Sequence, residues 1–100
     1  MRFRIDGDGT IRGADGQRVG EHRNRVIFSG NLPGQARQVG YVYGDVIYAG
    51  GNGTSGGRQI GFVYGDRLFT GGNGTSGGME AGPAEFPEPR VQAAAKWLLG

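Results

Sequence analysis

The residues of this chain able to do chemistry are few: arginines crowded into the first third, one histidine, and a glycine-rich octapeptide written twice. The octapeptide GGNGTSGG stands at Gly50–Gly57 and again at Gly71–Gly78. Each copy holds a formal G-x-G-x-x-G, the spacing of a dinucleotide-binding turn. That chemistry needs the glycines to lead from a strand into a helix whose N-terminus holds the phosphates. Here they lead into RQIGFVYG or MEAGPAEF, neither of which opens a helix, and no Lys-Ser/Thr follows to make a P-loop. Asn52-Gly53-Thr54 and Asn73-Gly74-Thr75 are formal glycosylation sequons. Asn and Gly also tolerate positive φ, and with no secretory signal a turn is the better account of them. We expect two mobile, ligand-free connecting loops.

Arg2, Arg4, Arg12, Arg18, Arg23 and Arg25 are interleaved with Asp6, Asp8, Asp15 and Glu21. Arg12, Arg18, Arg23 and Arg25 are the candidate anion-binding residues for a nucleic-acid partner, but a solvated mixed-charge face is the reading favoured. Nucleic-acid binders combine a basic stripe with aromatics for stacking. Here the aromatics lie in other repeats and Asp and Glu interrupt the arginines. His22 lacks the positioned carboxylate that general acid–base work requires, because Glu21 falls on the opposite strand face. Asp6-Gly7-Asp8-Gly9 has the start of a calcium loop, but Thr10 and Gln17 stand where ligands are needed. We therefore expect no catalytic residue, no metal site and no cofactor.

The elements that must position these residues are set by an internal repeat. RQVGYVYGDVIYAGGNGTSGG at 37–57 aligns without gaps to RQIGFVYGDRLFTGGNGTSGG at 58–78, a period of 21. A looser copy, QRVGEHRNRVIFSGNLPG, starts at Gln17, and FRIDGDGTI opens the chain with a fainter one. The approximate units are 3–16, 17–36, 37–57 and 58–78. YVY and VIY flank Gly44-Asp45, which predicts a β-hairpin with a type II′ turn. That turn pairs Tyr43 with Val46, Val42 with Ile47 and Tyr41 with Tyr48. Alternation puts Tyr41, Tyr43, Val46 and Tyr48 on one face and Gly40, Val42, Ile47 and Ala49 on the other. His22 takes the place of Val42 and Val63. The glycine-bearing face suits close approach around an axis. The fold expected is all-β, with three to four hairpins in a radial or barrel-like arrangement; a short β-solenoid is the alternative.

QVGYVYGDVIY and QIGFVYGDRLF, with RVGEHRNRVIF behind them, resemble the repeats of the small four-fold beta flower proteins. The resemblance spans about residues 3–78 and implies four hairpins about a pseudo-four-fold axis. It brings no functional residues with it.

After the repeats, 79–89 has three prolines and reads as a linker, and 90–100 as a short helix with Val91, Ala94, Ala95 and Leu98 on one stripe. About ten residues do not hold a helix alone, so it must dock in cis or on a partner; Val91, Trp97, Leu98 and Leu99 are the candidate docking residues. The chain has no cysteine, 23 glycines and a net charge of +2. MRFRIDGDG offers no apolar h-region and no apolar run is long enough to span a bilayer. We expect no membrane partner and a location in the cytoplasm or within an assembled particle. The function expected is a non-enzymatic structural or protein-interaction module, homo-oligomeric or part of a larger assembly such as a virion, tail or shell. Nucleic-acid binding through the arginines is the alternative.

Overall fold

The computed structural model describes residues 3–30 and 36–100; Arg2 and the second unit's 31–35 lie outside them. Nine antiparallel strands follow one another across a single sheet: β1 (Arg4–Ile5), β2 (Thr10–Arg12), β3 (Arg18–Arg23), β4 (Val26–Ser29), β5 (Arg37–Tyr43), β6 (Val46–Ala49), β7 (Arg58–Tyr64), β8 (Arg67–Thr70) and β9 (Met79–Pro83). One helix, α1 (Pro89–Leu98), closes the chain.

The hairpin register is the one the turns dictate. Tyr43 faces Val46, Val42 faces Ile47 and Tyr41 faces Tyr48, and β7–β8 repeats the pattern with Tyr64 against Arg67 and Phe62 against Phe69. Gly44 and Gly65 have φ of +61°, as the first central residue of a type II′ turn requires. The β3–β4 turn differs: both Asn24 and Arg25 have positive φ, 51° and 68°.

Between hairpins the ladder is offset by one residue at each handover. The extra residue on the longer strand is Val19, Val39, Ile60 and Ala81 in turn, each followed by a glycine. Such bulges bend a strand and increase its twist. They also bring two consecutive side chains to one face, so Val39 and Ile60 join the core beside Gly40 and Gly61. The fourth bulge, Ala81-Gly82, lies in the segment expected to be linker. Residues 79–83 are a strand instead, because they repeat the bulge at the same 21-residue spacing and pair with β8.

The glycine-bearing face is where the expectation of an axis fails. The sheet is open, with β1 and β9 as its edges, rather than radial, closed or wound as a solenoid. Its small-residue face is covered by α1, which touches β4 through β7. Three of the four bulge glycines lie beneath it, each against a carbonyl of the neighbouring strand as well as against the helix. A methyl group at Gly20 would stand 3.1 Å from Leu99, one at Gly40 2.5 Å from Leu98, and one at Gly61 2.5 Å from Trp97. Ala93, Ala94 and Ala95 then meet Ile11, Ile27, Ile47, Val42, Val63 and Leu68 in one core. Ile11, Ile27 and Ile47 occupy equivalent places in successive units and are wholly buried. Each contributes roughly 1.5–3 kcal/mol of transfer free energy.

Both edges are blunted. At β1 the Gln92 side chain occupies the backbone of Phe3, accepting from its N–H at 3.1 Å and donating to its carbonyl. At β9 the Ala84 N–H turns inward to Asp66, so the nitrogen of the preceding Pro83 faces outward and has no hydrogen to offer. Capped and proline-bearing edges resist pairing with another strand.

Candidate functional site

The two GGNGTSGG loops are built, contrary to the expectation of mobility. Gln38 Nε2 donates to the carbonyls of Gly53 at 2.9 Å and Gly50 at 3.3 Å, and its Oε1 accepts from Gly53 N at 3.0 Å. Gln59 makes the same three bonds to Gly74 and Gly71. Within each loop the backbone N–H of Asn52 or Asn73 donates to Ser55 or Ser76 at 2.9 Å. The loops fold over the outer face, on rings stacked in pairs: Tyr41 on Tyr48 and Phe62 on Phe69, each with centroids 4.8 Å apart. A side chain at Gly51 or Gly57 would collide with Tyr41, and one at Gly72 or Gly78 with Phe62. The glycines are there so that backbone can lie against a ring. Gly57 N also donates to Tyr41 Oη at 3.0 Å. A strand follows each loop: β7 after the first, as expected, and β9 after the second, where a linker was expected.

The arginines separate into engaged and free. Asp6 accepts from Arg4 Nε at 3.0 Å and from Arg12 Nε at 2.9 Å. The hydrogen bond from Arg12 holds the Asp6 carboxyl below its ordinary range, with Arg4 adding to the effect and partial burial opposing it. The backbone N–H of Thr10 does the same for Asp8, closing the β1–β2 turn at 3.0 Å. Glu21 pairs with Arg18 and, at 2.7 Å, with Arg23, whose guanidinium also lies 4.8 Å over the Phe28 ring. Two carboxylates thus compensate four arginines. Arg25 is exposed and has no ion-pair partner among the described residues.

The docking candidates also have a definite place. Val91, Trp97, Leu98 and Leu99 are packed against the chain's own core. Arg90 Nε donates to Asp45 Oδ1 at 2.8 Å, with a second contact from its Nη2, tying the start of α1 to the tip of the β5–β6 hairpin.

At this end of the molecule lies a cavity of about 540 Å³ between the hairpin tips and the approach to α1. Arg25 and His22 line one side, Pro87, Pro89 and Val91 supply apolar surface over the buried Ile27 and Val42, and Asp45 and Arg90 line it as a pair. A smaller cavity of about 370 Å³ beside β1 shares Pro87 and Glu88 with it. The sequence placed His22 correctly on the inner face and gave no sign of the cavity, because the lining segment 87–91 is distant in the chain. On the outer face Tyr43 and Tyr64 are 63% and 64% exposed, in the same place of successive hairpins.

Among the described residues no group of three or more His, Cys, Asp or Glu is placed to hold a metal ion, and no helix is long and apolar enough to cross a membrane. Comparison with family models, curated proteins and solved structures finds no significant match.

Proposed function

We propose that this chain is a non-enzymatic protein-interaction module that associates with copies of itself or with a larger protein assembly, using the outer face of its sheet. The observation that carries the reading is the exposed pair Tyr43 and Tyr64. They stand on β5 and β7, two strands and thus about 10 Å apart. Arg23 continues the row on β3, since Arg23, Tyr43 and Tyr64 face Val26, Val46 and Arg67 in equivalent registers. Tyr and Arg are residues interfaces favour: Tyr presents large area with only two torsions to immobilise, and Arg adds a planar, many-donor head group. The other routes to association are less open: α1 covers the inner face, Gln92 caps one edge and Pro83 blunts the other.

A virion, tail or shell is one kind of assembly that suits such a module. The kinship with the four-fold beta flowers belongs to the same reading. Four equivalent bulges support it, with α1 in the place of the axis. Nucleic-acid binding is the weaker alternative, since Asp6 and Glu21 already engage Arg12, Arg18 and Arg23.

Light scattering over a wide concentration range tests the proposal. The mass should rise with concentration, and Tyr43→Ser with Tyr64→Ser should hold the chain as a monomer with its fold intact. A strict monomer throughout, and a tyrosine variant indistinguishable from it, would remove self-association.

A further inference from the structure

The cavity at the hairpin tips carries an inference that does not rest on the outer face, because it opens on the other side of the sheet. The geometry points to a binding site for a small organic anion, its carboxylate or phosphate held by Arg25 and its apolar body lying against Pro87, Pro89 and Val91.

Three observations converge on it. The volume, about 540 Å³, falls within the range of small-molecule sites, and the lining brings apolar and charged side chains together. Arg25 is the one lining cation without a carboxylate, since Arg90 is spent on Asp45. Finally, the chain departs from its own repeat to place Arg25 there. The corresponding turn residues of the next two hairpins are Asp45 and Asp66, each preceded by a glycine. In the β3–β4 hairpin Asn24-Arg25 takes left-handed backbone at both positions, with Arg25 at φ 68°, where glycine is the residue favoured. Non-glycine residues in that region are strained and concentrate at functional sites.

His22 belongs to the same departure. Val42 and Val63 hold its place in the later hairpins, and His22 brings a ring nitrogen to the cavity wall instead. Glu88, also lining the cavity, is solvent-exposed. It opposes an anion only weakly, as charges in water are screened.

The test is a titration of the full chain followed by NMR at the Val91 methyls and the His22 ring. The probes are phenyl phosphate, benzoate, inorganic phosphate and benzyl alcohol. Saturable shifts at both residues are expected with phenyl phosphate or benzoate, and whichever binds tighter names the head group. Inorganic phosphate, without a body, and benzyl alcohol, without a charge, should bind about tenfold more weakly or worse. Arg25→Gly relaxes the turn and so keeps the fold, yet it should weaken the anions by about tenfold to a hundredfold. Arg25→Lys should retain part of the affinity, and Arg23→Ala, whose arginine serves Glu21, should change nothing. Absence of saturable shifts with either aromatic anion would overturn the assignment. So would unchanged affinity in Arg25→Gly, inorganic phosphate binding as tightly as phenyl phosphate, or shifts centred on Arg12 and Arg18 instead of the cavity.

Discussion

Gly61→Ala tests whether the bulge glycines exist to receive the helix. A methyl group there would stand 2.5 Å from Trp97 Cζ3 and 2.7 Å from Cη2, and closer still to the carbonyl oxygen of Phe69. The carbonyl belongs to the β7–β8 ladder and cannot swing away, so the strand or the helix must move. Overfilling a packed site costs about 1–3 kcal/mol. Displacing Trp97 adds part of the roughly 3–5 kcal/mol that removal of a core aromatic costs. We expect a loss of about 2–4 kcal/mol, which for a slope of about 1–2 kcal/mol/M lowers the urea midpoint by 1 M or more. Trp97 is the sole tryptophan, so its emission should shift to the red and become accessible to quencher in the folded baseline. Gly7→Ala is the control: nothing lies within 4 Å of a methyl group there and its φ is ordinary, so it should stay within about 0.5 kcal/mol. In a Trp97→Ala background Gly61→Ala should cost less, without becoming neutral, because the clash with Phe69 persists. A Gly61→Ala protein with unchanged midpoint and emission would refute the packing of α1 on this face.

The remaining predictions concern the loops, the edge and the N-terminal hairpin. Gln59→Ala should cost about 1–2 kcal/mol at most and speed amide exchange at Gly74 specifically, whereas unchanged exchange would mean the loop holds itself. Pro83→Val restores an outward N–H on β9 and should promote edge-to-edge association or aggregation, read by light scattering; an unchanged monomer fraction would show the edge is guarded otherwise. The Asp6 carboxyl is held below its ordinary range in the fold by Arg12 and Arg4. Its stabilisation is therefore complete above the unfolded carboxylate pKa and is lost as pH falls through the lower folded value. The β1–β2 hairpin should loosen on that acid side first, and Arg12→Ala should move the Asp6 titration back toward the usual range by NMR.

Much of the sheet is legible in the residues because its information is local. Gly44-Asp45 and Gly65-Asp66 fix the turn, the turn fixes the register, and alternation then assigns the side chains between turn and bulge to a face. What covers a face is not local. Gly20, Gly40 and Gly61 announce a close approach, but a neighbouring hairpin and a helix ask for the same small residues. The partner of those glycines lies in Trp97–Leu99, some 36 or more positions away. The loops mislead for a similar reason. GGNGTSGG by itself is flexible, and its order comes from Gln38 and Tyr41, 12 to 16 residues earlier. A signal was present: glutamine precedes the bulge in both full repeats, as RQVG and RQIG. The last strand was hidden by composition, since three prolines near Ala81-Gly82 mask a bulge that keeps the period. The cavity draws on residues from three distant segments, and only the fold brings His22 and Arg25 to Arg90.

The central claim, that association uses the outer face and not an edge or the helix, is tested most directly by NMR spectra recorded across a concentration series. The account predicts progressive shifts at the Tyr43 and Tyr64 rings, with the β9 amides and the alanines of α1 unmoved. Shifts confined to β9 or to α1, or none at any concentration, would contradict it.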